Sequence, residues 1–139
     1  MRELADVLRD ELAVLQELLA VGRQEQEALM TDDLAGIQAA TGRKEELARR
    51  LAALEEERQQ VMGASPETSV AGAPASRERG RDDDEINRLR DSLRQAVREF
   101  QEVNETNRLL ARQSLVYVQK MLSLLLPKGV STGIMDRLV

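Results

Sequence analysis

The residues able to do covalent or acid–base chemistry are few. Neither Cys nor His occurs anywhere in the 139 residues. That excludes disulfides, thiolate nucleophiles and thiolate metal sites, and it removes the commonest general base and metal ligand. Four consecutive acids, Asp82-Asp83-Asp84-Glu85, invite a metal-site reading. Consecutive residues point in different directions around a helix, however, and the run lacks the alternating ligand spacing of a calcium loop. Acids cluster in first helical turns because the helix dipole favours them there. Ser114 and Ser123 have no candidate base nearby in sequence, and Arg79-Gly80-Arg81 is no Gly-rich phosphate loop. We therefore expect no catalytic residues, no cofactor and no metal, and a protein that is not an enzyme.

The positive signal is apolar. Asn104 to Pro127 reads NETNRLLARQSLVYVQKMLSLLLP and contains the chain's only tyrosine, Tyr117. No acid occurs between Glu105 and Asp136, although acids outnumber bases 25 to 20 overall. On a helix these apolar residues cover more surface than the single stripe that packs one side. Such a patch marks a binding surface, and an amphipathic partner helix could lie along it with anchors at i, i+3, i+4 and i+7.

The elements that position this stretch are helical. A single Phe, a single Tyr and no Trp leave little for a compact core of the usual aromatic kind. Leu, Ala, Glu, Arg and Gln dominate, the composition of long helices or a coiled coil. The net charge of −5 argues against nucleic acid, whose binding proteins carry basic surfaces. The N-terminus, MRELADVLRDEL, is charged throughout and is no signal peptide. The longest apolar region, interrupted by Lys120, falls short of the ~20 residues that span a bilayer. A soluble, cytoplasmic protein is the expectation.

In chain order, residues 1–62 predict an antiparallel helical hairpin. Its first helix runs from about Arg2 to Leu29, with a seam of Leu8, Leu12, Leu15, Leu19, Gly22, Gln26 and Leu29 spaced alternately by four and three. Glu3, Asp6, Asp10, Glu17 and Glu25 read as its solvated outer face. Thr31 or Asp32 is the expected cap of the second helix, with Asp33 suited to the dipole. That helix runs from about Asp33 to Met62, with an inner stripe of Leu34, Ile37, Leu47, Leu51, Leu54 and Val61. Thr41 and Lys44 fall where the stripe should be apolar. Gly22 should lie level with Thr41, so that the polar lapses of the two helices coincide, either as a partner contact or bend or simply as polar residues that fix register.

Residues 63–81, rich in Gly, Ala, Ser and Pro, read as a flexible linker. Residues 82–127 form the third helix, with the most regular seam of the chain, Ile86-Leu89-Leu93-Ala96-Phe100-Val103-Asn107-Leu110-Ser114-Tyr117-Met121-Leu124. Residues 128–139 are a tail. The fold class is all-α: a long antiparallel hairpin plus a longer C-terminal helix in a coiled-coil-like three-helix bundle. Each hairpin helix spans about 45 Å and the third about 65 Å. If the third helix starts beside the end of the second and runs antiparallel to it, it reaches the hairpin turn near Gln113, and Ser114 to Leu126 overhang.

This layout resembles the FlgN-type flagellar export chaperones. The resemblance rests on the hairpin with its acidic turn, Asp32-Asp33-Leu34, followed by Lys44-Glu45, and on Asn104-Glu105-Thr106-Asn107-Arg108-Leu109-Leu110, which is similar to the family's Asn-x-x-Asn-x-x-Leu signature. A Leu-rich helix end followed by Gly completes it, though Leu126-Pro127-Lys128-Gly129 stands where a tyrosine and glycine pair is expected. The resemblance implies a cytoplasmic chaperone that binds hook–filament junction (hook-associated) proteins, prevents their premature assembly and delivers them to the flagellar type III export apparatus. It places subunit binding on Leu109, Leu110, Tyr117, Val118, Met121, Leu122 and Leu125, with Asn104 and Asn107 as motif residues. Two other readings stand beside it. One is a self-associating structural coiled coil or adaptor, a homo-oligomer whose overhangs bury each other without cargo. The other is a membrane-surface helix, for which Arg108, Arg112 and Lys120 are few.

Overall fold

A computed structural model describes residues 2–71 and 76–125, with side chains described for residues 2–63 and 83–125. Three helices account for it: α1 (Leu4–Met30), α2 (Leu34–Ala71) and α3 (Ser76–Leu125). The fold is the all-α hairpin plus longer third helix that the seams imply. α1 lies in the middle, and both α2 and α3 pack along it. α2 returns antiparallel to α1. α3 runs parallel to α1, as Arg9 pairs with Glu85 near one end and Glu25 meets Asn107 towards the other.

Two neighbours require two seams on α1. The seam read from the leucines is one of them: Leu8, Leu15, Leu19 and Gly22 are buried and Leu12, Gln26 and Leu29 half-buried. It does not bring Gly22 to Thr41. A Cβ at Gly22 would stand 3.1 Å from Val103 and 3.8 Å from Phe100, so the missing side chain admits α3. Thr41 is exposed and donates to the Ile37 carbonyl at 2.9 Å. The second seam of α1 is Val7, Glu11, Val14, Leu18, Val21, Glu25 and Ala28, all buried, again spaced by four and three. On α2 the inner stripe is Ile37, Ala40, Lys44, Leu47, Leu51, Leu54, Arg58 and Val61, all buried or half-buried. Ala40 rather than Thr41 continues the spacing. Leu34, expected inside, is 65% exposed because the stripe spacing runs back from Ile37 to Asp33, leaving Leu34 turned away from α1. Val7 and Leu47 are fully buried and Leu8 nearly so, each worth about 1.5–3 kcal/mol of apolar burial.

The turn is built by Asp33, not by Thr31 or Asp32. Asp33 Oδ1 accepts the Gly36 N–H at 3.1 Å, the N-cap bond to the third residue of α2. Thr31 instead closes α1, its hydroxyl donating to the Glu27 carbonyl at 2.9 Å. Asp32 takes the left-handed conformation (φ 54), and the Asp33 N–H donates to the Ala28 carbonyl at 2.9 Å, a Schellman-type ending. Gly36 must be small: a Cβ there would lie 2.5 Å from the capping carboxylate and 3.1 Å from the Ala28 Cβ.

Helix also runs further into residues 63–81 than the linker reading expects, to Ala71 in α2 and from Ser76 in α3. Once a long helix is nucleated, each added residue costs little, and Ala, Glu and Arg in this segment are good helix formers. The joint itself, residues 72–75, and the tail reading of residues 128–139 lie outside the described residues, as do Leu126 and Pro127.

Candidate functional site: the α3 overhang and the polar knot beneath it

The family-motif residues meet in space. Glu25, on the face that the sequence pattern assigns to solvent, is instead buried at the centre of a polar knot joining all three helices. Its Oε1 accepts from Lys44 Nζ of α2 at 3.0 Å and from Asn107 Nδ2 of α3 at 2.9 Å. Asn107 Nδ2 also donates to the Gly22 carbonyl at 2.8 Å, and Lys44 Nζ to Asn104 Oδ1 at 3.3 Å. Asn107 is 3% exposed, and its Oδ1 has no partner among the described residues. A buried carboxylate needs charged and hydrogen-bonding neighbours to offset desolvation, and α2 and α3 each supply one. The knot is therefore structural: Asn107 is directed inwards and is not available to a partner.

A second buried acid lies fourteen residues earlier on α1. Glu11 pairs with Arg58 of α2 at 3.3 Å, and Glu25 with Lys44, so both charge pairs obey one hairpin register. Burial raises the Glu11 pKa above the ordinary carboxylate value, with Arg58 opposing and Glu55 adding to the rise. Glu11 and Arg58 border a groove of about 460 Å³ where α2 and α3 diverge over α1. Leu15, Leu51, Leu93 and Val97 give it an apolar lining.

Beyond the knot, α3 leaves the hairpin. It passes the turn at a notch lined by Leu29, Met30 and Asp32 on one side and Leu110, Ser114, Tyr117 and Val118 on the other. The seam of α3 is buried or half-buried through Ser114 and exposed from Tyr117 onward, at Tyr117, Met121 and Leu124. The overhang expected from helix lengths is present, its seam exposed from Tyr117, three residues beyond the expected start at Ser114.

Of the residues singled out from sequence for binding, Leu109, Val118 and Met121 are exposed, Tyr117 is 64% exposed and Leu125 73%. Leu110 and Leu122 are half-buried, Leu110 because it packs at the turn. Leu115, Val116 and Leu124 are also exposed and belong to the same surface. Leu109, Val116 and Tyr117 form a shallow furrow with Arg112, Gln113 and Lys120. At 100° per residue Leu109, Arg112 and Val116 lie on the side of α3 away from its buried seam, whereas Tyr117 continues the seam, so the furrow runs from the seam's edge onto the outer face. No group of acids that could hold a metal occurs among the described residues.

The FlgN protein family model matches residues 1–133, nearly the whole chain. The chain belongs to the FlgN family. That family supports a flagellar export chaperone role in general terms and implies binding to flagellar proteins. No curated protein and no solved structure matches the chain. No helix of the described residues is long and apolar enough to cross a membrane.

Proposed function

We propose that this FlgN-family chain is a cytoplasmic chaperone for hook–filament junction proteins and that its cargo binds on the α3 overhang. The carrying observation is that α3 continues past the hairpin turn with Tyr117, Leu124 and Leu125 exposed, a run of apolar surface that no described part of the chain covers. A helical terminal segment of a junction subunit would lay its apolar face along Leu109, Tyr117, Val118, Met121 and Leu125, with half-buried Leu110 and Leu122 at the margins. Occupying that segment keeps the subunit from assembling early, and a non-covalent helix–helix contact permits release at the export apparatus. The role is binding, without catalysis.

Titrating the full chain by calorimetry with C-terminal segments of the junction proteins tests this. The reading expects saturable binding that Tyr117→Asp combined with Leu125→Asp weakens at least a hundredfold while helicity is unchanged. Undiminished binding by the double variant would remove the overhang as the site. Absence of binding, together with a concentration-dependent dimer, would support the self-associating coiled coil instead.

A further inference from the structure

The overhang has a charge pattern as well as an apolar face. Arg108, Arg112 and Lys120 are exposed, and none forms an ion pair among the described residues. Arg112 and Lys120 lie about 80° apart around α3 with Val116 between them, and both border the same furrow, whereas Arg108 is turned about 120° from Lys120 and lies outside it. Arg112 and Lys120 flank the furrow that Leu109, Val116 and Tyr117 line. No acid of α3 lies beyond Glu105, so nothing on this helix neutralises the furrow's two bases.

Resting on the cargo-binding reading above, we infer that the furrow selects an amphipathic helix bearing carboxylates beside its apolar stripe, spaced to meet Arg112 and Lys120. These two are eight residues apart, about 12 Å along the axis, so the occupant carries acids about eight residues apart beside its apolar stripe. Opposite charge at the edge of an apolar contact sets orientation and rejects wrong partners more than it adds raw affinity. The same pattern argues against a second copy as the occupant. Two overhangs pairing through this face would bring Arg112 and Lys120 against the same two bases of the other copy, with no acid beside the furrow on either.

The test titrates the full chain with three synthetic helical peptides sharing one apolar face. The first carries glutamates eight residues apart at the edge of that face; the second carries them on the opposite side; the third has lysines at the edge positions. Vesicles with anionic headgroups and the junction-protein segments are run alongside. The expected result is that the first peptide binds about tenfold tighter than the second and third, that raising salt narrows the gap, and that Arg112→Glu with Lys120→Glu reverses the preference towards the lysine peptide. Equal binding of all three peptides overturns the inference, and if the junction segments still bind, the cargo-binding reading survives without it. Vesicle binding lost in the charge-reversed variant, with no peptide discrimination, would assign the furrow to an anionic membrane surface and also overturn it. Junction segments that fail to bind would remove the parent reading itself.

Discussion

Replacing Asn107 with alanine tests whether the polar knot holds α3 on the hairpin. Two hydrogen bonds from Nδ2 are lost, to the Gly22 carbonyl at 2.8 Å and to Glu25 at 2.9 Å. The neutral bond is worth about 1 kcal/mol and the bond to the carboxylate about 1.5–3 kcal/mol. Glu25 keeps Lys44 at 3.0 Å and is not left bare. Two terms offset the loss: the unpartnered Asn107 Oδ1 is removed from the interior, and alanine favours helix over asparagine by about 0.5 kcal/mol. The net expectation is a loss of about 2 kcal/mol, a fall in Tm of roughly 7 °C for a chain of this size. Urea unfolding followed by far-ultraviolet dichroism should show a lower midpoint at unchanged slope. In a double-mutant cycle, Glu25→Gln and Asn107→Ala should couple by about 1 kcal/mol or more. A loss under about 0.5 kcal/mol, or additive behaviour in the cycle, would refute the claim that the knot carries energy.

Three further outcomes follow from the geometry. Asp33→Ala should cost about 1 kcal/mol through the lost cap and Asp33→Asn much less, read from the same unfolding midpoints; equal losses would count against the side-chain cap. Burial raises the Glu11 pKa, so the folded state favours the protonated carboxyl and loses stability as pH rises through that raised value. Glu11→Gln should therefore be at least as stable as the parent at pH 7, its advantage fading as pH falls below the ordinary carboxylate value; an advantage that grows on acidification would reverse the sign. Asn107→Leu should admit a second register of α3. Spin labels at the exposed positions Gln24 and Glu105 would then report a second distance population, displaced by up to about 10 Å for a seven-residue slip, whereas a single unchanged distance would leave apolar packing alone in control of register.

The seams were legible because four-and-three spacing of leucines survives any detail of packing. The overhang was legible because α3's seam stays apolar after the hairpin's length is exhausted. Burial of Glu11 and Glu25 is not implied by a single seam on α1, which serves one neighbour only. The signal for a second was present in Val7, Val14, Leu18, Val21 and Ala28, whose spacing lapses only at those two acids. On α2 the large side chains drew attention to Thr41, although Ala40 keeps the spacing and a small buried residue serves where helices approach closely. The expected cap, Thr31 or Asp32, falls one or two positions early because Thr31, Asp32 and Asp33 are all good capping residues, and only the backbone path decides among them. Contact between Lys44 and Asn104 had no sequence signal beyond the family resemblance, since sixty residues separate them.

The position of the knot matters for the surface beyond it. The α3 seam would accept the hairpin in more than one register, since Asn107, Leu110 and Ser114, and then Ser114, Tyr117 and Met121, repeat the spacing of Phe100, Val103 and Asn107. Sliding α3 back by seven residues would cover Tyr117 with the hairpin and gain apolar burial. It would also carry Asn107 away from Glu25 and bring Ser114 towards that level. Serine's shorter side chain has one hydroxyl donor where the amide has two N–H donors, so the Gly22 and Glu25 bonds could not both be kept. A polar residue at one seam position specifies register at some expense of stability, and here the register it specifies is the one that leaves the overhang exposed. An apolar helix end that would otherwise draw back onto its own hairpin is thereby held out, which is the condition a binding surface on α3 requires.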